Sequence, residues 1–249
     1  MTALAGKVAL ITGAGQGLGF EIATAMAKAG AALVLVERYA DRLEASTAKL
    51  RELGAQVASM VGDVREREVA LAAAEGAIQR FGRLDVLVNN AQILTAPKPF
   101  IEQDDAYFDR AVRSGLYGTI YFMQACYPAL SQRGGAVINL GSGAGTAGNP
   151  GQAAYGAAKE AIRGLSRTVA REWGKDNIRV NVICPTANSP SYREWFKDKP
   201  ELLAASVAHM ARGRPAEGFE IGNLAVFLAS DACTITGQTL HIDGGSAMP

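Results

Sequence analysis

Short runs of Val, Ile, Leu and Ala recur along the 249-residue chain, and helix-like segments separate them. Short continuous apolar runs are typical of strands that are covered on both faces, as in a parallel sheet. Between the runs, apolar residues such as Leu18, Ile22 and Met26 repeat at the spacing of one helix face. The alternation therefore predicts an α/β fold with a doubly wound parallel sheet and right-handed crossovers. The predicted strands are residues 8–12, 32–36, 57–61, 84–88, 136–140, 178–183 and 239–242, and the clearest helices are 41–53, 69–81, 105–130 and 153–173.

Charge and cysteine usage exclude several classes of protein. The chain has 25 basic and 24 acidic residues, which argues against a nucleic-acid binder. Its three cysteines, Cys126, Cys184 and Cys233, are too scattered for a disulfide framework or a zinc cluster, so we expect no metal. The N-terminal sequence has no signal-peptide pattern, and no apolar run approaches the roughly 20 residues of a membrane span. We expect a cytoplasmic protein with no membrane partner.

Residues 1–249 show no linker, repeat or low-complexity tract, so we expect one domain. One stretch, residues 186–215, departs from the strand–helix alternation. It carries Pro190 and Pro200 and places Tyr192 and Trp195 among charged residues. A long insertion with aromatic residues predicts a substrate lid. The alternative is an ordinary helical excursion with an apolar underside.

A glycine-rich turn follows the first predicted strand. Glycine lets the backbone approach a pyrophosphate, and the free N–H groups at the start of the next helix point toward that anion. The strand–turn–helix order therefore predicts a dinucleotide site rather than a plain turn. The residues assigned to it are Gly13, Gln16, Gly17, Leu18 and Gly19.

The pattern TGxxxGxG from Thr12 to Gly19 resembles the short-chain dehydrogenase/reductase family in its form of about 250 residues. The rest of the chain matches the family in order, through the motifs Asp63-Val64, Asn89-Asn90-Ala91, Tyr155-Gly-Ala-Ala-Lys159 and GQTLHIDGG at 237–245. The resemblance implies a seven-stranded Rossmann-type sheet with helices on both faces. It also implies a nicotinamide cofactor held in part by Asp63, Val64, Asn90, Tyr155 and Lys159, and a homotetramer.

The sequence gives modest support of its own to the oligomer. The predicted helices 105–130 and 153–173 carry apolar residues on more than one side, among them Ile120, Phe122, Leu165 and Val169. A helix that covers a sheet needs one apolar stripe, so a second stripe predicts contact with a partner.

Glu37 and Arg38 end the second predicted strand and bear on the choice of nucleotide. A carboxylate at that place can bind the adenosine ribose hydroxyls and repel a 2′-phosphate. Arg38 favours the opposite choice, because a basic residue there is common in NADP-dependent relatives. The sequence favours NAD over NADP.

Ser142, Tyr155 and Lys159 form the candidate catalytic group. Tyr155 and Lys159 are four residues apart and so lie on one helix face, where an ammonium would lower the pKa of the phenol toward the working range. Ser142 follows a predicted strand, at the sheet edge where doubly wound folds bind ligands. The resemblance implies that Ser142 binds the substrate oxygen, Tyr155 exchanges its proton, and Lys159 holds the nicotinamide ribose and tunes Tyr155.

The chain departs from the family pattern near this group. Gly115 stands where the family carries its proton-relay Asn, and Gln92 replaces the glycine of its Asn-Asn-Ala-Gly turn. We expect close packing or a water-filled kink at Gly115, and we assign Gln92 to substrate contact. The full set of predicted substrate residues is Gln92, Ser142, Gln152, Tyr155 and Trp195.

Two functions remain open from the sequence. The first is an NAD(P)-dependent oxidoreductase that moves a hydride between the cofactor and a neutral secondary alcohol or ketone. The second is a dinucleotide-binding protein with weak or lost catalysis that serves as a sensor or scaffold. The retained Ser142, Tyr155 and Lys159 favour the first.

Overall fold

A computed structural model describes residues 2–247 and shows one seven-stranded sheet in which the strands are parallel. Its spatial order is β3-β2-β1-β4-β5-β6-β7, which confirms the predicted doubly wound Rossmann sheet. The strands are β1 Val8–Thr12, β2 Ala32–Glu37, β3 Val57–Val61, β4 Val86–Asn89, β5 Gly135–Leu140, β6 Ile178–Pro185 and β7 Thr239–Ile242. The crossover from β3 past β1 to β4 leaves a crevice above the carboxyl ends of β1 and β4, the place where such sheets bind ligands.

Helices cover both faces of the sheet, as predicted. Their bounds are α1 Gly17–Lys28, α2 Ala40–Glu52, α3 Arg67–Phe81, α4 Asp105–Val112, α5 Gly118–Leu130, α6 Gly143–Ala147, α7 Ala153–Trp173, α8 Pro190–Phe196, α9 Pro200–Ala208 and α10 Gly218–Ala229. Helices α1, α2 and α10 bury apolar side chains on one face, while α3, α5 and α7 do so on the other. Two apolar layers thus hold the sheet, and the continuous apolar strands reflect burial on both sides.

The predicted helix 105–130 is not continuous. A π-helical segment, Arg113–Tyr117, separates α4 from α5, and Gly115 lies buried at its centre. Such π-turns often mark functional sites and have no distinctive periodicity, which is why the apolar pattern missed this one. Tight packing between this segment and the loop after β4 gives the break a physical reason, described below.

Residues 186–215 are largely helical rather than irregular. Helix α8 begins at Pro190 and is capped by Ser189, whose Oγ accepts from the N–H of Tyr192 at 3.2 Å. Helix α9 begins at Pro200, so two of the prolines act as helix starts, where their missing N–H costs nothing. Neither helix has a fully buried residue.

Other expectations have mixed outcomes. Cys126, Cys184 and Cys233 are free and buried. Phe122 is fully buried in the core, and Leu165 and Val169 pack against the same cluster, so these three residues do not form the second apolar stripe proposed from the sequence. Ile120, the fourth residue named for that stripe, is half-buried. Within residues 2–247, no helix is long and apolar enough to cross a membrane. The one-domain prediction also covers residues 1, 248 and 249, which lie outside the described residues.

Candidate active site

The glycine-rich turn connects β1 to α1 and leaves room for an anion. Gly13 continues the sheet through an N–H that donates to the carbonyl of Val36 at 2.8 Å. Gly17 begins α1 with φ +57°, and no atom lies within 4 Å of the place where its Cβ would be. The preceding Gln16 makes no side-chain cap, so the first N–H groups of α1 remain available to a ligand. A glycine cradle of this kind fits the pyrophosphate of a dinucleotide.

Asn90 holds this turn from the next strand of the sheet. Its Nδ2 donates to the carbonyls of Thr12 and Gly13, both at 3.0 Å. The Thr12 hydroxyl in turn accepts from the N–H of Asn90 at 3.0 Å. Gly19 lies behind the turn, where a Cβ would approach the carbonyl oxygen of Gly13 to 2.2 Å. The structure therefore places Gly19 in the support of the turn rather than on the cavity wall, because α1 and β1 meet there without space for a side chain.

Glu37 lies at the end of β2 with its carboxylate tied to the backbone. One oxygen accepts from the N–H of Gly15 at 3.1 Å, and the other accepts from Arg38 and Tyr39 at 2.9 and 3.2 Å. The residue is 8% exposed and lines the cavity. The negative charge is therefore fixed beside the glycine-rich turn, at the predicted ribose position.

Arg38 faces Asp63 at the end of the nucleotide cleft. Its Nε lies 3.4 Å from Asp63 Oδ2, while Arg65 pairs with both Asp63 oxygens at 2.7 to 3.0 Å. These arginines, Arg65 foremost, hold the pKa of Asp63 below its usual value. Arg42, which the sequence reasoning did not consider, also lines the cavity, with its guanidinium 4.4 Å from the Tyr39 ring centroid. Its signal was the four-residue spacing from Arg38.

A cavity of about 820 Å³ runs from the glycine-rich turn to helices α8 and α9. It brings together most of the residues singled out from the sequence. These are Gly13, Gln16, Gly17, Leu18, Glu37, Asp63, Val64, Asn90, Gln92, Ser142, Gln152, Tyr155, Lys159 and Trp195. One continuous cleft can thus hold both a dinucleotide and a second molecule at the carboxyl ends of the strands.

Ser142, Tyr155 and Lys159 meet at the middle of this cavity. Ser142 follows β5 and caps α6, with its Oγ accepting from the N–H of Ala144 at 3.1 Å. Tyr155 and Lys159 lie on one face of α7, with the Lys159 Nζ 5.7 Å from the tyrosine ring centroid. The ammonium donates to the carbonyl of Leu140 at 2.7 Å. The three residues therefore line the same cavity.

The pKa of Tyr155 shifts in the direction opposite to the sequence expectation. Burial raises the pKa of this phenol, and a hydrogen bond with Ser142 opposes the rise. Lys159 does not lower the pKa of Tyr155 as expected, because its ammonium is directed to a backbone carbonyl and is itself desolvated. Burial lowers the pKa of Lys159 to about 8. A further positive charge at the site would be needed to favour the phenolate.

Comparisons with known proteins decide the family. A family model described as enoyl-(acyl carrier protein) reductase matches residues 13–247. The chain is 43% identical over 249 residues to a 12α-hydroxysteroid dehydrogenase of Clostridium sp. (strain ATCC 29733 / VPI C48-50), with 96% of each protein covered. The chain belongs to the short-chain dehydrogenase/reductase family.

Other members of the family are also similar along their whole length. A trans-4-hydroxycyclohexanecarboxylate dehydrogenase of Sinomonas cyclohexanicum is 38% identical, with 97% of this chain and 93% of the relative covered. A solved 7α-hydroxysteroid dehydrogenase, in complex with NADH and 7-oxo glycochenodeoxycholic acid, superposes with a TM-score of 0.93 at 33% identity, with 98% and 95% covered. This short-chain dehydrogenase/reductase is accordingly a nicotinamide-dependent oxidoreductase of alcohols and ketones.

Gln92 occupies a different position from the one expected in this dehydrogenase/reductase. Its Nε2 donates to the carbonyl of Ala111 at 3.1 Å, and a Cβ on Gly115 would approach its Oε1 to 2.3 Å. The carboxamide thus fills the notch that Gly115 leaves in the π-helical segment. Gln92 lines the cavity, but its polar group is turned toward α4 rather than toward the open cleft. Close packing, the first of the two expectations for Gly115, accounts for the glycine.

The end of the cavity beside α8, at the predicted lid, is the lid end, and its wall is aromatic. Tyr192, Trp195 and Phe196 of α8 line it, and the Tyr192 and Phe196 rings lie 4.7 Å apart. Trp195 is 46% exposed and carries the Lys199 ammonium 3.5 Å from its ring centroid. No cluster of three or more His, Cys, Asp or Glu side chains suited to a metal occurs within residues 2–247.

Proposed function

We propose that this enzyme uses NAD(H) to oxidise a neutral secondary alcohol on an alicyclic ring, or to reduce the corresponding ketone. The observation that carries the proposal is the meeting of Ser142, Tyr155 and Lys159 midway along a cavity that begins at a dinucleotide turn. The bound nicotinamide would accept or donate the hydride and, when oxidised, would add a positive charge near the phenol.

Each member of the catalytic group has a separate task. The Ser142 hydroxyl binds the substrate oxygen and keeps it within reach of Tyr155. During oxidation the substrate hydroxyl gives its proton to the Tyr155 phenolate as its carbon loses a hydride, and reduction reverses both transfers. Lys159 would hold the nicotinamide ribose through its hydroxyls. Its anchoring to Leu140 at 2.7 Å keeps the long side chain from moving with each turnover.

The nucleotide end favours NAD over NADP. Glu37 presents a fixed carboxylate beside the turn, where a 2′-phosphate would be repelled and two ribose hydroxyls could donate. Arg38, the residue that would favour NADP, lies 3.4 Å from an acidic partner in Asp63. Arg42 is a cation available to a phosphate. Glu37, however, ends β2 beside the turn, and no side chain among the described residues pairs with its negative charge.

The lid end favours a substrate with an apolar body. Its walls include Tyr192, Trp195, Phe196 and Met210, and the Arg and Lys residues among the described cavity walls are Arg38, Arg42 and Lys159. None of these cations belongs to the lid. The similar hydroxysteroid and trans-4-hydroxycyclohexanecarboxylate dehydrogenases are named for substrates with a hydroxyl group on a ring, which supports a ring alcohol here.

We retain two further expectations as parts of this proposal. One is a single domain in which residues 186–215 act as a lid over the substrate. The other is a homotetramer, which now rests on the family resemblance, since Phe122, Leu165 and Val169 belong to the core. Sedimentation at micromolar concentration should give a species of about four times 26.1 kDa, and a 26.1 kDa species would contradict the tetramer.

A turnover assay tests the proposed reaction. NADH or NADPH formation would be followed with cyclohexanol, a 7α-hydroxysteroid and a 12α-hydroxysteroid, and the reverse reaction with the matching ketones. We expect turnover of ring alcohols with a higher kcat/KM for NAD than for NADP. Tight nucleotide binding without turnover on any alcohol or ketone would instead support the sensor or scaffold alternative, for which the comparisons give no support.

A further inference from the structure

A second cavity, of about 350 Å³, adjoins the glycine-rich turn. Its walls come from the turn, from α1 and α2, from the start of α10 and from the first residues of α8. Four residues line both this cavity and the main cleft, namely Gln16, Gly17, Leu18 and Ser189. The turn that fits a pyrophosphate therefore has the beginning of the predicted lid as its neighbour.

Arg193 is the residue of α8 that brings a positive charge to this second cavity. Its Nη1 donates to the carbonyl oxygen and to the Oδ1 of Asn188, at 2.8 and 3.2 Å. A guanidinium has five N–H donors, so those of Nε and Nη2 remain. Within residues 2–247 these two nitrogens donate to no other group, and Arg193 forms no ion pair. The residue is exposed, which leaves the remaining donors accessible to a ligand.

The backbone of α8 places Arg193 on the helix face that borders the turn. The N–H of Arg193 donates to the carbonyl of Ser189 at 3.0 Å, so the two residues are one helical turn apart and share a face. Ser189 lines both cavities. The guanidinium is thus held at the junction between the second cavity and the cleft, next to Asn188.

The acidic side chains of the second cavity, Glu21 and Glu217, are engaged at the start of α10. The Glu217 carboxylate caps that helix and accepts from the Nδ2 of Asn188 at 3.2 Å. Glu21 packs against Gly218, where a Cβ would approach the Glu21 Cδ to 2.9 Å. Neither carboxylate pairs with Arg193 in the part of the chain that the structure describes, so the arginine charge is available to an anion.

The glycine-rich turn itself offers an anion no positive side chain. Residues 13–19 contain no Lys or Arg, and their contribution is the backbone N–H groups at the start of α1. An arginine complements such a site, because its planar fork can bind a phosphate through two parallel hydrogen bonds. The other cation of the second cavity, Lys49, stands on α2, which is packed into the core through buried leucines. Arg193 stands on α8, which has no buried residue.

We infer that Arg193 binds the pyrophosphate of the nicotinamide nucleotide through its Nε and Nη2 donors and so anchors α8 to the bound cofactor. Since α8 is weakly packed, one charged contact is enough to change how often it opens. Nucleotide binding would then order the predicted lid before the substrate arrives. The inference rests on the nicotinamide dependence of the enzyme, and it depends neither on the choice of NAD over NADP nor on a ring alcohol as substrate.

Binding measurements test the contact with the pyrophosphate. Dissociation constants for NADH, NADPH, ADP and adenosine would be measured by calorimetry for the wild type and Arg193→Gln. We expect the constants for ADP and the better-bound dinucleotide to rise about tenfold in Arg193→Gln, and that for adenosine to stay within about twofold, because adenosine has no pyrophosphate. Lys197→Gln is the matched control, since it removes the same charge from an exposed position at the end of α8 that lines neither cavity.

An unchanged ADP affinity in Arg193→Gln, or an equal loss in Lys197→Gln, would overturn the contact. An equal loss for adenosine would also overturn it, because it would show a general defect of the nucleotide site. If the wild type binds neither dinucleotide, the inference fails together with the cofactor assignment. None of these measurements needs turnover, so an enzyme inactive on ring alcohols can lose the proposed reaction and still retain the anchor.

Hydrogen exchange tests the effect on the lid. In the wild type, we expect saturating dinucleotide to slow amide exchange in α8, and in Arg193→Gln at saturation this slowing should be lost while the slowing at the start of α1 remains. Exchange in α8 that is the same with and without dinucleotide in the wild type would refute the anchoring. Equal slowing in the wild type and in Arg193→Gln would refute it as well.

Discussion

Asn90 and Glu37 hold the nucleotide end of the cavity through hydrogen bonds to backbone atoms, whereas Gln152 and Tyr192 leave polar atoms unpaired at the lid end. The first pair joins β1, β2 and β4 around one turn. The second pair stands on the start of α7 and on α8, beyond the sheet. The contrast separates a part whose polar groups are satisfied within the chain from a part in which two buried polar atoms have no partner among the described residues.

This difference teaches where specificity can vary. Backbone N–H groups at the start of a helix bind a pyrophosphate with little dependence on the neighbouring side chains. A site built from side chains can change its ligand with a single substitution. We therefore expect changes at the catalytic group and the nucleotide end to alter rate and cofactor choice, and changes at the lid end to alter substrate choice.

Tyr155→Phe should have the largest effect, and Tyr155 lies between the nucleotide end and the lid end of the cavity. Losing the hydroxyl removes the proton acceptor, so kcat should fall about 10²- to 10⁴-fold. The NADH dissociation constant, measured by fluorescence, should stay within about threefold because the turn and Glu37 are untouched. Turnover within threefold of the wild type would remove Tyr155 from the reaction, and a lost NADH affinity would show that the two ends are not independent.

Lys159→Met tests the buried charge at the same boundary. In the folded chain the pKa of Lys159 is about 8, below the ordinary 10.5. Between pH 8 and pH 10.5 the unfolded chain therefore binds more protons than the folded chain. The wild type consequently gains stability as the pH rises through that range. Relative to Lys159→Met, the free energy of unfolding should increase by up to about 3 kcal/mol from pH 7 to pH 10.5. Denaturant unfolding across that range measures it, and a difference that stays constant with pH would contradict the buried ammonium.

Glu37→Gln sharpens the comparison at the nucleotide end. Removing the charge keeps the side-chain length, so the ratio of kcat/KM for NADP to that for NAD should rise about tenfold, or about 1.4 kcal/mol. Glu44→Gln is the matched control, since it removes the same charge from an exposed position on α2. An unchanged ratio in Glu37→Gln, or an equal rise in the control, would refute the assignment.

Gly115 and Gln92 give the smallest effect. Alanine in a helix is favoured over glycine by about 1 kcal/mol, but in the wild type the added Cβ would meet the Gln92 carboxamide. We therefore expect Gly115→Ala to be more favourable by about 1 kcal/mol in the Gln92→Ala variant than in the wild type. A double-mutant cycle of unfolding free energies measures this difference. Additive effects would mean that the carboxamide moves aside freely.

The sheet, the glycine-rich turn and the catalytic group were predictable because each has a local signature. Apolar runs identify strands covered on both faces, and the order of strand, turn and helix locates the turn without any long-range information. Ser142, Tyr155 and Lys159 were found through the family motif. Their meeting in one cleft follows from the parallel topology, which brings the carboxyl ends of β4 and β5 to one edge.

Three features were not predictable, for physical reasons. The π-helical segment keeps the apolar pattern of an α-helix, so periodicity cannot reveal it. The direction of the Gln92 side chain depends on a contact with Gly115, 23 positions away, that no local pattern encodes. The rise in the pKa of Tyr155 depends on burial by neighbours that are distant in sequence, and the four-residue spacing to Lys159 indicated only the opposing effect.

The lack of fully buried residues in α8 and α9 has a consequence for the timing of catalysis. Segments that bury little apolar surface open at a small free-energy cost, while the strands around the glycine-rich turn open only with the whole domain. A lid formed by these two helices would therefore release product and admit substrate many times within the lifetime of the surrounding fold. Such a division of labour suits an ordered sequence in which the nucleotide arrives first and leaves last, with lid movement between the two events.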